Sequence, residues 1–336
     1  MAKSVDIGTC FLVAAQQADN GEIKTKSIRD AFFDMENNDP SVKNMLKNGK
    51  INYIEAGEKL YIIGDSAVTM ANIFKRECRR PLSKGVLAPG ELEAEKVLLV
   101  LLESILGKAS TPGEICYYSI PGNPIDRNID VVYHAAMCGK ILSSLGYKAV
   151  AMNESAAIVY SNCAKEQFSA LALSFGAGAV NVALLYNTIV GMTFSLSTSG
   201  DYIDDMAAKA TGSTMARIQA IKEKHLNLLD ASDGDPKTFR EREALIIYYK
   251  SLILKTLDAI KNRFVKTGSG FELPESIPLI LSGGTALPKG FKELFEEGFK
   301  NVKDTFTIPI SEIRMANDLL SSVAQGLLVA ALNYTE

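Results

Sequence analysis

Short apolar runs alternate with glycine and polar breaks through the first third of the chain. Residues 4–15 read Ser-Val-Asp-Ile-Gly-Thr-Cys-Phe-Leu-Val-Ala-Ala, an apolar run split by Gly8-Thr9. That pattern predicts a strand, a tight turn and a second strand. Asn20-Gly21 follows, a dipeptide that favours hairpin turns. Residues 36–50 are rich in Asn, Asp and Lys and read as exposed loop. Lys59-Leu60-Tyr61-Ile62-Ile63 is a short strand closed by Gly64-Asp65. Pro89-Gly90 opens a helix that places Leu92, Leu98, Leu99, Leu102, Ile105 and Leu106 on one broad face and ends at Gly107. A strand over Cys116–Ile120 stops at Pro121-Gly122-Asn123-Pro124, and a helix of about 20 residues runs on to Leu145. Ala149–Met152 is a strand leading through Asn153-Glu154 into a helix rich in small residues.

The second half repeats the opening. Residues 171–184 are again strand, glycine turn and strand, and Gly191–Leu196 is a third strand. The offset between the two meanders is about 165 residues, which predicts two mixed α/β domains of related topology. Helices are expected over 213–230 and 239–264, with an exposed turn over 231–237 between them. A strand over 277–282 feeds Gly283-Gly284-Thr285, a helix covers 290–298, and a last apolar helix runs from near Asn317 to Leu332.

Composition narrows the function classes. A chain of 336 residues is long enough for two domains, and 47% hydrophobic with 22% charged residues is the balance of a soluble globular protein. Lys and Arg number 36 against 39 Asp and Glu, so no strong positive field would hold nucleic acid, and no specific nucleic-acid partner is expected. No apolar run is long enough to span a membrane, and no signal-peptide pattern precedes the first strand, so the expected location is cytoplasmic. No amphipathic segment precedes that strand either, so direct membrane insertion is not expected. The cysteines number 5, with no Cys-x-x-Cys spacing, which argues against a disulfide framework or a zinc site. His134 and His225 lie far apart, which argues against a histidine-centred triad or metal site.

Three turns share one design, a buried strand ending in Gly beside a small or hydroxyl residue: Asp6-Ile7-Gly8-Thr9, Gly176-Ala177-Gly178 and Gly283-Gly284-Thr285. Without a Cβ, backbone N–H groups can approach an anion. A plain tight turn would look the same in any one of them, and none fits the Rossmann or P-loop fingerprint. Their order and spacing carry more: one near the N-terminus, one in mid-chain, and a strand–Gly-Gly–helix about 50 residues from the end.

That layout resembles the actin-like ATPase superfamily over nearly the whole chain. Asp6-Ile7-Gly8-Thr9 is similar to its first phosphate loop, Ser174-Phe175-Gly176-Ala177-Gly178 to its second, and Leu281–Gly290 to its adenosine loop. Asn153-Glu154-Ser155-Ala156-Ala157 and Ala324-Gln325-Gly326-Leu327 resemble the two connecting helices. Within the superfamily the bacterial actin branch of MreB and MamK is most similar, through Tyr61–Ala67, Arg80–Leu87, Gly200–Asp204 and Ala220–Glu223.

The resemblance implies two related actin-like (ribonuclease-H-like) domains with a nucleotide cleft between them. Domain I would span 1–147, with a core of 1–30 and 72–147 and a smaller subdomain over about 31–71. Domain II would span 148–316, with a core of 148–190 and 265–316 and a subdomain over about 191–264, and 317–336 would return to domain I. It implies ATP or ADP with Mg²⁺ in the cleft. Asp6 would orient the metal's water shell, and Glu154 would position the attacking water. Gly8-Thr9-Cys10 and Gly176-Ala177-Gly178 would hold phosphates, Gly283-Gly284-Thr285 the adenosine, and Lys222 and Glu223 would flank base and ribose. It also implies self-assembly into a head-to-tail filament that works with an adaptor or cargo.

The chain departs from the family in its second phosphate loop. Ser174 stands where the family carries Asp, and Ala179 and Val180 stand where it carries hydroxyl residues. A serine supplies no charge near Mg²⁺, which implies slow hydrolysis unless Asp201 or Asp204 substitutes. Two other functions fit the same superfamily: a DnaK-like chaperone or reactivating ATPase, and a small-molecule kinase. The first lacks room for a separate substrate domain, and no catalytic Asp stands out for the second.

Overall fold

A computed structural model of the chain describes residues 2–37, 40–49, 51, 53–266 and 273–334. Parts of the expected spans 1–30, 31–71, 36–50, 265–316 and 317–336 lie outside the described residues, as does the side chain of His225.

The chain opens with β1 (Lys3–Ile7), β2 (Phe11–Gln17) and β3 (Ile23–Arg29), an antiparallel meander. A small three-stranded sheet follows, built from β4 (Phe32–Glu36), β5 (Tyr53–Ala56) and β6 (Lys59–Ile63), with α1 (Pro40–Asn48) between the first two and α2 (Asp65–Phe74) after the third. A two-stranded hairpin, β7 (Leu82–Ser83) and β8 (Val86–Leu87), leads to α3 (Ala94–Leu106). Then come β9 (Glu114–Ile120), α4 (Val131–Ser144), β10 (Tyr147–Asn153) and α5 (Glu154–Asn162). The second half has the meander β11 (Ala170–Phe175), β12 (Val180–Tyr186) and β13 (Ile189–Leu196). Three helices follow, α6 (Gly200–Thr211), α7 (Met215–His225) and α8 (Phe239–Lys266). The chain finishes with β14 (Ile277–Ser282), α9 (Phe291–Lys300), β15 (Ile310–Met315) and α10 (Ser322–Leu332).

The two large sheets are copies in topology. One runs β10-β9-β1-β2-β3, the other β15-β14-β11-β12-β13, each an antiparallel meander extended by two parallel strands. The repeat expected from the glycine turns is therefore a repeat of the whole sheet. The strands of the second sheet are the more deeply buried: β11 and β14 are buried along their whole length, as parallel strands covered on both faces must be.

The helices after the last strands change partners. α5 leaves the first sheet but packs on β11 and β12 of the second, whereas α10 leaves the second and packs on β1 and β9 of the first. The two helices also cross each other. At the crossing Gly326 lies so close to Ala157 that an added Cβ would stand 1.7 Å from the Ala157 carbonyl oxygen. The hydroxyl of Ser4 on β1 donates to the Ala324 carbonyl at 2.7 Å and pins α10 to the first sheet.

Several elements differ from the sequence reading, each for a local reason. Residues 40–48 are helix rather than loop, because Val42 and Leu46 sit on one face and dock against Phe33, Leu60 and Ile62, with Pro40 at the tolerant first position. α3 starts at Ala94, not at Pro89, and Leu92 is 93% exposed. The preceding turn is held by Glu91, which takes the Arg79 guanidinium at 2.8 Å. α4 begins only at Val131, capped by Asp130, because Ile125 is drawn into pairing with Ser195 of β13. The expected helix over 213–230 is confined to Met215–His225, and α6 precedes it, closed by Gly212 in the left-handed region. α10 starts at Ser322 rather than Asn317, because residues 317–319 are spent on Asn162 and on the Gly283 N–H. β15 was not expected at all.

Gly326→Ala is expected to cost about 3 kcal/mol or more, because the clash is with backbone that cannot rotate away. Gly90→Ala, where a Cβ meets nothing within 4 Å, should stay within about 0.5 kcal/mol of the parent. Urea denaturation followed by circular dichroism measures both; equal midpoints would mean that the helix crossing leaves room for a methyl group at Gly326.

Candidate functional site

The two halves face each other across a cavity of about 650 Å³, a size suited to a ligand larger than a single sugar or base. Asp6, Glu154, Lys222 and Glu223 line it, together with the turns Gly8-Thr9-Cys10, Gly176-Ala177-Gly178 and Gly283-Gly284-Thr285. The three glycine turns and the four charged residues that the resemblance set in a cleft thus line one cavity.

The first two turns are built alike. Ile7 pairs with Leu12 and Phe175 with Val180, so each hairpin has a four-residue connection. The Gly8 N–H donates to the Phe11 carbonyl at 3.2 Å, and the Gly176 N–H to the Ala179 carbonyl at 3.0 Å. A side chain at Gly178 has no room, since its Cβ would stand 2.2 Å from the Thr9 hydroxyl; the two turns touch across the cavity. The third turn is tied to the second, with the Thr285 hydroxyl donating to the Gly176 carbonyl at 2.9 Å.

Two carboxyl groups face one another between these turns. The Ser119 hydroxyl donates to Asp6 at 2.7 Å and accepts the Ile7 N–H at 2.7 Å, which fixes the Asp6 rotamer. Glu154, the first residue of α5, receives the Ser174 hydroxyl on one oxygen and the Asn181 amide at 2.7 Å on the other. Asn181 is oriented by the Gly122 N–H, which donates to its Oδ1 at 2.9 Å, so its NH₂ must face Glu154. Burial pushes both acids up from their ordinary values, and the nearby Asp6 charge pushes Glu154 further, to about 8. Ser119 and Ser174 pull the other way by donating to the charged forms.

Ser174 and Asn181 are directly opposed in the β11–β12 register, and this explains a residue the sequence reading missed. Asn181 interrupts an otherwise apolar strand, Val-Asn-Val-Ala-Leu-Leu-Tyr, and a buried amide there needs partners. That interruption was the available signal.

Several charged side chains around the cavity are already paired. Lys222 gives its ammonium to Asp204 at 2.6 Å, with both side chains almost fully buried. Glu223 accepts from Gln219 at 2.9 Å, with the Arg29 guanidinium 3.8 Å away across the cavity. Asp201 is paired with Arg80. Asp201 and Asp204 are therefore both held in ion pairs. Among the described residues no group of three or more His, Cys, Asp or Glu side chains could hold a metal ion. Asp6 and Glu154 form a pair, which matches a magnesium ion held mainly by waters and phosphate oxygens and does not match a dedicated protein cage.

The raised Glu154 acid predicts a pH signature for the ligand-free protein. An acid whose folded value is raised from 4.5 to about 8 binds more protons folded than unfolded across that window. Its contribution is fully present below pH 4.5 and is lost as the pH rises through about 8. Urea stability should fall from pH 5 to 8.5 in the parent, by up to about 1.4 kcal/mol per pH unit from this group. Glu154→Gln, neutral throughout, should flatten the part of that slope above about pH 6, while Asp6, itself raised to about 6, keeps part of the fall below it. Parallel slopes in the two proteins would show that Glu154 ionises normally.

No curated protein matches the chain. Solved structures match it end to end at low identity. A structure of MamK as a double helical filament shares 15% identity with a TM-score of 0.71, covering 100% of both chains. MreB5 of Spiroplasma citri bound to AMPPNP shares 16% with a TM-score of 0.65, covering 98% of this chain and 95% of that one. The ethanolamine utilization protein EutJ from Carboxydothermus hydrogenoformans shares 15% with a TM-score of 0.54, covering 98% and 89%. The fold is thus that of the actin-like proteins of the bacterial branch, two related α/β domains with a cleft between them. The Volactin family profile matches residues 1–331, and the chain belongs to the Volactin family.

Proposed function

We propose that this protein is an actin-like ATPase that binds ATP with magnesium in the cleft and polymerises head to tail. One observation carries the reading: two related glycine turns, from two related sheets, meet across one cavity with Asp6 and Glu154 between them. Glycine turns present backbone N–H groups to an anion from both sides. Magnesium, when bound with the triphosphate, neutralises phosphate charge; Asp6, held by Ser119, would orient its waters. Glu154 would orient the attacking water toward the terminal phosphate, and Gly283-Gly284 would take the adenosine. The site works by position and charge, as phosphoryl transfer requires. The neighbours solved as a MamK filament and with AMPPNP on MreB5 support this reading of the same fold. In it, residues 1–147 act as one domain and 148–316 as the other, with 317–336 returning to the first.

Ser174 fits a slow ATPase. Its hydroxyl is spent on Glu154, and no carboxylate stands in its place. Filament growth needs only a filled, closed cleft, and heterologous contacts that do not close on themselves give open polymers. Partners beyond a second copy of the chain would be an adaptor or cargo.

The reading is tested by ATP-dependent pelleting with a critical concentration. Glu154→Ala should lower phosphate release at least about tenfold with nucleotide affinity nearly unchanged, because water positioning acts in the transition state, and its filaments should persist longer. Turnover at the parent rate would remove Glu154 from the chemistry. Gly284→Val is the binding test. A Cβ there meets only Leu320, at 3.5 Å, so the protein should fold while the side chain fills the cavity. ATP affinity unchanged in that variant would place the adenosine elsewhere.

A further inference from the structure

Arg80 precedes β7 in the first half, and its guanidinium bridges to α6 of the second. One nitrogen lies 2.8 Å from Asp201 Oδ2; the other lies 3.3 Å from Asp201 Oδ1 and 3.4 Å from the Thr9 carbonyl. Thr9 belongs to the first phosphate turn. Asp201 is the second residue of α6, and its own N–H donates to the Ala177 carbonyl of the second turn at 2.8 Å. The Gly200 N–H donates to Gly176 at 3.1 Å, and the Ser199 hydroxyl to Ala177 at 2.6 Å. α6 is thus bolted to the second turn, and Arg80 joins α6 to the first. The hairpin that follows Arg80 makes a second crossing, with the Gly85 N–H donating to the Thr9 hydroxyl at 3.1 Å and Gly85 resting on Ala179.

We infer that Arg80 is a positioning residue for the phosphate site: through Asp201 and the Thr9 carbonyl it holds the two phosphate turns at a fixed spacing without touching the nucleotide. This rests on the nucleotide reading of the cleft. Asp201 lines the cavity and Arg80 does not. A fork-shaped guanidinium can meet a carboxylate and a carbonyl at once, which an ammonium on a single carbon stem does less well. Pairing also neutralises Asp201, whose charge would otherwise face a polyanion. Two consequences follow for Arg80→Ala: the turns lose one of their ties, and a bare carboxylate repels the phosphates.

The experiment measures ATP affinity by titration calorimetry and the melting temperature of the nucleotide-free protein, for parent, Arg80→Ala, Asp201→Asn and the double variant. Arg80→Ala should weaken ATP at least about tenfold, with the nucleotide-free melting temperature within about 2 °C of the parent. The double variant should bind better than Arg80→Ala alone, because the bare carboxylate is gone, and weaker than the parent, because the tie is still missing. Arg80→Lys should fall between parent and Arg80→Ala. An affinity change under twofold overturns the inference, as does a loss of affinity that merely follows a lowered melting temperature. A parent protein that binds no adenine nucleotide overturns the nucleotide reading itself, a separate result.

Discussion

The exchange of α5 and α10 between the two sheets is the constraint on which everything else depends. Each helix is covalently continuous with one sheet and packed on the other, so neither half can leave without unpacking a helix. The crossing is made of small residues, with Gly326 set against the Ala157 carbonyl. Close backbone approach brings many atoms into contact at little side-chain entropy cost. It also fixes where α5 begins, and α5 begins with Glu154. The floor of the cleft, the position of its central carboxyl and the relation of the two sheets are one packing event.

Around that floor the walls are tied at several points. The 121–125 segment of the first half pairs with Ser195 of β13 in the second, Gly122 holds Asn181, and Arg80 reaches Asp201 at the mouth. The ties near the floor are short backbone and amide hydrogen bonds in buried surroundings. Those at the mouth are ion pairs between partly exposed side chains, which salt and solvent weaken. The bonds at Ser195 and Asn181 are thus less sensitive to salt than the ion pair between Arg80 and Asp201.

Much of this was legible in the sequence because glycine and periodicity act locally. The strand–turn–strand units at 4–15 and 171–184 and the apolar strand before Gly283 need only neighbouring residues to declare themselves, and they set the fold and the list of cavity residues. What escaped depended on distant chain. α1 was hidden because a polar stretch needs only Val42 and Leu46 to dock on a sheet formed elsewhere. The starts of α4 and α10 were misplaced because Ile125 is drawn to Ser195 of β13, Asn317 to Asn162 and Leu319 to Gly283. Asn181 was passed over because its role exists only once Glu154, from α5, and Gly122, from the other half, are brought beside it. Lys222 was visible as a cavity residue, but its commitment to Asp204 was not, since the two lie on different helices.

Ser174, which the sequence resemblance sets where a carboxylate is expected, looks from sequence like a simple loss. In the structure it belongs to a set. Glu154 is surrounded by a hydroxyl and an amide, both donors, with Asp6 as the nearby negative charge. A third carboxylate at position 174 would add repulsion to a group already pushed toward its neutral form by burial. With Ser174 and Asn181, the pair Asp6 and Glu154 can share a site before any cation arrives, one acid taking the proton that the other leaves. A cation entering with a ligand would reverse the balance, favouring both charged forms and leaving Ser174 and Asn181 as donors to an ionised Glu154. Two neutral donors would therefore suit the site with or without a cation, whereas a carboxylate at position 174 would suit it only with one.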